Sequence, residues 1–143
     1  MKRTIIVLMA MLLVSGGGCS YLFYPRADDY AVQAKGATAV DTMINLTTMM
    51  EASASKAKGG KGNDAAFDDY HNQLHALLNT SSDVTKEQQK TPAYDLAVTH
   101  QKELIAIFKR LWKFKDEQPQ RDQHLELSSV ELKELRETLQ TLK

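Results

Sequence analysis

The chain has 143 residues, room for one domain and not comfortably for two. Lys plus Arg and Asp plus Glu both total 18, so the basic excess that nucleic-acid binding demands is missing and no nucleic-acid partner is expected. The lone cysteine, Cys19, excludes a disulfide within the chain and argues against a Cys-ligated zinc site. Seven glycines, three prolines and a thin scatter of aromatic side chains describe a helical domain rather than a sheet.

Met1-Lys2-Arg3 is a short positive start, and the run from Ile5 to Val14 is apolar without interruption. Ser15-Gly16-Gly17-Gly18 then leads into Cys19. This is the three-part layout of a secretory signal, with small residues where a peptidase must grip extended backbone. A cysteine directly after those small residues resembles the lipobox of bacterial lipoproteins. Gly17 and Gly18 fit the box, while Gly16 stands where an aliphatic residue is usual. The resemblance covers the first twenty or so residues. It implies lipid transfer to the Cys19 thiol, cleavage in front of it and acylation (a palmitate-type modification) of the new amino group. Ser20, where Asp commonly retains such proteins in the inner membrane, implies outer-membrane sorting in a Gram-negative host. A Gram-positive host would hold the anchor in its only membrane.

The expected organisation is therefore a signal peptide over 1–18, a lipidated cysteine with a short tether over 19–28, and a helical domain over 29–143 that faces the periplasm. Removing Lys2 and Arg3 with the leader leaves 16 basic against 18 acidic side chains. The alternative is an uncleaved membrane helix, because no charge falls between Thr4 and Pro25. Three consecutive glycines oppose it, each costing about 1 kcal/mol of helix propensity. In either case Lys2 and Arg3 stay in the cytoplasm and the remainder crosses. The patch from Tyr21 to Pro25 either rests among headgroups beside the lipid or packs on the end of the domain.

Four helical segments follow. The first is predicted over 27–58, where Tyr30, Ala34, Ala37, Val40, Ile44, Thr47 and Met50 recur every three or four residues. Small residues on that face imply close approach by a neighbour, and Gly59-Gly60-Lys61-Gly62-Asn63 ends the segment as a turn. The second, over 64–78, carries Phe67, Tyr70, Leu74, Leu77 and Leu78 on one stripe. The third opens with Thr91 as N-cap and Pro92 at the first helical position. Tyr94, Ala97, Val98, Leu104, Ile105, Phe108, Leu111 and Trp112 form its wide apolar stripe, and Lys109, Arg110, Lys113 and Lys115 complement the dipole at its end. Pro119 is expected to break the chain, with a capping box at Ser128-Ser129-Val130-Glu131 starting the fourth helix. There Leu132, Leu135, Leu139 and Leu142 repeat at the spacing of a coiled-coil seam. Short turns between such helices favour antiparallel neighbours, so the expected fold is all-α, an up-and-down antiparallel bundle of four helices. The last helix either packs in the bundle or projects toward a partner.

Several patterns invite chemistry. Asp68, His71 and His75 share one face of a helix at i, i+3 and i+7, and imidazoles four residues apart can share a metal, with His100 or His124 adding a third nitrogen. His71 beside Phe67 and Leu74 more simply borders the core with its polar edge outward, so no metal ligand is assigned and the trio stands as the alternative. Val84-Thr85-Lys86-Glu87-Gln88 resembles one degenerate copy of the Leu-Thr-x-x-Gln motif of periplasmic stress chaperones, but Thr85 capping a helix with Gln88 reaching back explains it better. The stretch from Phe108 to Lys115 reads as a membrane-binding amphipath or, more simply, as buried stripe, with Phe114 off the stripe and exposed. Met43, Met49 and Met50 read as core filler rather than soft ligands. No nucleophile turn, phosphate-cradling loop or paired carboxylates point to catalysis, so no catalytic residue and no cofactor are assigned. The expected function is a membrane-anchored, non-enzymatic envelope module that binds or assembles with a protein partner; the alternative is a metal-binding or sensing bundle.

Overall fold

The computed structural model describes residues 26–60 and 64–143. The leader, Cys19, the Tyr21–Pro25 patch and residues 61–63 lie outside the described residues. Within them the chain is all-helical: α1 Ala27–Gln33, α2 Ala39–Ala57, α3 Ala65–Ser81, α4 Pro92–Lys113 and α5 Gln118–Gln140, with a 3-10 turn at Gln88–Lys90 before α4. No helix among the described residues is long and apolar enough to cross a membrane.

The bundle proper is α2 to α5, and its directions can be read from side-chain bonds. Lys143 pairs with Asp41 at 2.6 Å and Arg136 with Glu51 at 2.6 Å, while Lys58 pairs with Glu126. Those partners run in opposite order along α2 and α5. Phe67 meets Trp112 whereas Tyr94 donates to the Ser81 carbonyl, so α3 and α4 are also antiparallel. His100 facing Glu131, and Phe114 facing His124, do the same for α4 and α5. This is the expected up-and-down bundle, with α1 as an additional short helix leaning on α3 and α2.

The break between α1 and α2 corrects the single helix expected over 27–58. Thr38 caps α2 by accepting from the Asp41 N–H at 3.1 Å. Gly36 donates its N–H to Thr42 Oγ1 at 3.0 Å and lies so close to Asp41 that a Cβ there would collide with the Asp41 side chain. Asn45 then ties the Ala34 carbonyl at 2.9 Å. Ala37, placed on the apolar stripe by spacing, is exposed because the stripe is interrupted at this corner.

The start of the last helix is the second correction. It begins at Gln118, ten residues before Ser128, with Pro119 in its first turn. A proline there loses an N–H that would have had no helical acceptor anyway, so it opens the helix rather than breaking the chain. Ser128 caps nothing; it is buried in mid-helix with its Oγ bonded to the Tyr70 hydroxyl.

The core is one cluster. Met43, Leu46 and Met50 of α2 meet Phe67, Tyr70 and Leu77 of α3, Leu104 and Leu111 of α4, and Leu125, Leu132, Leu135 and Leu139 of α5. The leucine seam of α5 therefore faces inward and the helix does not project. Arg121, almost fully buried, closes one end: its guanidinium donates to the Lys115 carbonyl at 3.2 Å and to the Gly60 carbonyl, linking the α4–α5 and α2–α3 turns.

Leu135→Ala is expected to lower unfolding free energy by about 2–5 kcal/mol, the range for truncating a packed leucine. Val130→Ala, on the exposed side of the same helix, should change it by less than about 0.5 kcal/mol. Urea denaturation of the two variants separates an inward seam from a projecting one.

Candidate functional site

Helices α2 and α3, α2 and α5, and α4 and α5 come into close backbone approach, whereas α3 and α4 meet mainly through large side chains. The space is filled by Phe67, Tyr70 and His71 from α3 and by Phe108 and Trp112 from α4. Ring centroids lie 6.2 Å apart for Phe67–Phe108, 5.9 Å for Phe67–Trp112 and 6.0 Å for Tyr70–Phe108, within the range over which aromatic pairs attract. Tyr70 is wholly buried, and that burial pushes its hydroxyl up to about 12.

His71 sits on this floor. Its ring stacks on Phe108 at 4.8 Å and 19° and lies 5.4 Å from Trp112. One helical turn later His75 reaches back from solvent, and the two Nε2 atoms are 3.0 Å apart. The i, i+4 spacing brings the side chains together, and the stacking fixes how the first ring points. Burial pulls His71 below its ordinary 6.5; the neighbouring His75 adds to that, and Asp68 opposes it. The 3.0 Å separation is that of an N–H···N bond in which one ring donates and the other accepts.

The third member proposed for this group does not close it. Among the described residues, the three potential ligands that converge are His100, Glu131 and Glu134. Neither other histidine turns toward the pair: His100 Nδ1 is bonded to Glu131 at 2.6 Å, and His124 Nδ1 to the Gln120 carbonyl at 2.6 Å. The sequence carries a hint of the His100 group, since Glu131 and Glu134 are one turn apart, but which helix faces them is settled only by packing.

The aromatic stripe is corrected in two places. Trp112 is 46% exposed at the edge of the cluster, with the Lys115 ammonium 5.1 Å from its ring centre. Phe114 is half-buried instead, stacked on His124 at 5.7 Å. The readings of Thr85 and of the methionines agree with the structure. The Thr85 and Gln88 backbone N–H groups donate to each other's side chains at 3.3 Å, a reciprocal cap; Met43 and Met50 are fully buried and Met49 packs against the core.

Comparison with known protein families, with curated proteins and with solved structures finds no match to this chain.

Two outcomes follow from this geometry. Because folding lowers the His71 pKa, the unfolded chain takes up that proton more readily. Its contribution to stability is complete above about pH 6.5 and is lost as pH falls through the lowered value. Denaturation of metal-free protein at stepped pH should show a steeper acid loss for wild type than for His71→Gln; parallel curves would contradict it. Separately, Tyr70→Phe or Ser128→Ala alone strands a buried hydroxyl and should cost about 1–3 kcal/mol, while the double variant recovers part of the loss. A double-mutant cycle measures that coupling.

Proposed function

We propose that this chain is a membrane-anchored helical module of the bacterial cell envelope, tethered through lipid on Cys19, which binds or assembles with an envelope partner and performs no chemistry of its own. The leader pattern ending in Cys19 carries the anchor. The observation that favours a membrane-facing geometry is the polarity of the bundle. Helix α1 runs antiparallel to α2, with Tyr30 and Lys56 lining one shallow groove, so the described chain opens toward the end that holds both turns. That same end carries Lys109, Arg110 and Lys113 in the closing turns of α4 and Lys115 just after it, with Trp112 half-exposed among them.

Lysine and arginine near an anionic leaflet contribute about 1 kcal/mol each, and tryptophan favours the headgroup level. Arg26 lies seven steps along the chain from Cys19. Fully extended, those steps span no more than roughly 25 Å, so a lipid on Cys19 would hold the turn end beside its own membrane.

Growth with an alkyne-tagged palmitate is expected to label the wild-type chain and not Cys19→Ala, and the mature mass should start at Cys19. An unlabelled protein with its leader intact overturns the anchor. In vesicles, headgroup-attached spin labels should quench Trp112 fluorescence. A labelled protein whose tryptophan is untouched by them would keep the anchor and reject the orientation.

A further inference from the structure

The geometry points to His71 and His75 as a two-nitrogen site for a late divalent transition metal, copper(II) ahead of nickel(II) and zinc(II). This does not rest on the membrane anchor. Metal–imidazole bonds are about 2.0–2.1 Å, so two nitrogens bound at a right angle to one ion sit roughly 2.9 Å apart, and at a tetrahedral angle roughly 3.3 Å. The observed 3.0 Å lies near the right-angle value. A right angle between neighbouring nitrogens suits the tetragonal geometry of copper(II) and nickel(II), and imidazole affinity peaks at copper(II) in the divalent series.

The surroundings match what such a site needs. His71 is held by its stack on Phe108, so one ligand is already oriented before the ion arrives. His75 is exposed, which leaves the remaining coordination positions to water or to a partner's donor. Asp68 lies close enough to act on His71 electrostatically, adding negative potential one turn away without joining as a convergent ligand. Binding moves no electrons. The ion exchanges two of its waters for the two Nε2 lone pairs, and the ring that carried its proton on Nε2 carries it on Nδ1 instead. The N–H···N bond of the metal-free pair and the metal-bridged pair are thus alternatives for the same two atoms.

The His100–Glu131–Glu134 group serves as an internal comparison. It offers one nitrogen and two carboxylates, and its histidine is already bonded to Glu131. That set is the harder of the two and less suited to copper(II).

Trp112, the only tryptophan in the chain, is 5.4 Å from His71 and reports on the site directly. The full-length chain, stripped with chelator, is titrated with copper(II) chloride while tryptophan emission is followed. Saturable quenching at one equivalent is expected, and the frozen complex should show equatorial nitrogen hyperfine structure in its electron paramagnetic resonance spectrum. His75→Ala should weaken binding by more than about tenfold, since loss of even an outer-shell partner costs 10–100-fold. His100→Ala should leave the titration unchanged. His75 is exposed, so its removal should spare the fold; circular dichroism verifies this, and His75→Gln is the second variant. Identical titrations for wild type and both His75 variants, or loss of quenching in His100→Ala instead, would overturn the assignment.

Discussion

The arrangement hangs on a buried cation. Arg121 has 1% of its surface exposed, and its side chain is held by carbonyls from two separate turns, Lys115 after α4 and Gly60 after α2. The bundle is two hairpins, α2–α3 and α4–α5, and nothing covalent joins their turns. A guanidinium in a low-dielectric interior is expensive unless its donors are met. Carbonyls of the two turns meet its Nη1 and Nη2 donors, whereas the buried Nε makes no hydrogen bond. Asp122, beside it, accepts the Gly59 N–H at 3.1 Å and lies 3.7 Å from the Arg121 Nε, so the same short stretch of α5 holds the turn from two directions. Leucine packing is tolerant of sliding, whereas the Arg121 contacts, the Tyr70–Ser128 bond and the ion pairs between α2 and α5 each fit one register.

Once the turns are fixed, side-chain size decides the rest. Helix α2 presents Thr47, Ser53, Ala54 and Ala57 to its neighbours, and small residues let backbones approach closely. Across the bundle, α3 and α4 place phenylalanine, tyrosine, histidine and tryptophan against one another and stand further apart. The imidazole pair is a product of that asymmetry. In a narrower groove His71 would be shut in the core, and in a wider one it would have no ring to stack on. Its half-buried position beside an exposed His75 follows from two aromatic residues on the facing helix, Phe108 and Trp112.

Much of this was legible beforehand. The stripes of α3 and α4 are long and regular, Thr91 with Pro92 marks a start that the structure keeps, and the antiparallel bundle follows from short turns. The start of α5 was not legible, because two signals near it each have two meanings. Pro119 reads as a breaker or as a first-turn residue, and Ser128 with Glu131 reads as a cap or as a buried hydroxyl with a part-buried acid bonded to His100. Which meaning applies depends on whether Tyr70 lies opposite Ser128, a fact of tertiary packing. Gly36 was the missed signal at the α1–α2 corner, hidden among alanines that favour helix on either side. Pairings across helices, such as His100 with Glu131, leave no trace in spacing along one strand of sequence. The i, i+4 pair of His71 and His75 does, because both partners belong to the same helix.

The basic closing turns of α4 and the imidazole pair of α3 lie on either side of Trp112 and favour ligands of opposite charge. The closing turns of α4 concentrate lysine and arginine, which favour an anionic surface, while Trp112 joins that basic edge to the floor under His71. A divalent ion at the imidazole pair would feel those same cations as repulsion, most of all the Lys115 ammonium held over Trp112, softened by Asp68 from its own helix. An anionic leaflet placed against the turn end would neutralise the lysines and remove most of that repulsion. Membrane contact would therefore favour metal at the pair, and by linkage bound metal would favour contact, the same coupling read from either side. Trp112 is the link such a coupling needs, since it touches the His71 ring on one side and the Lys115 ammonium on the other.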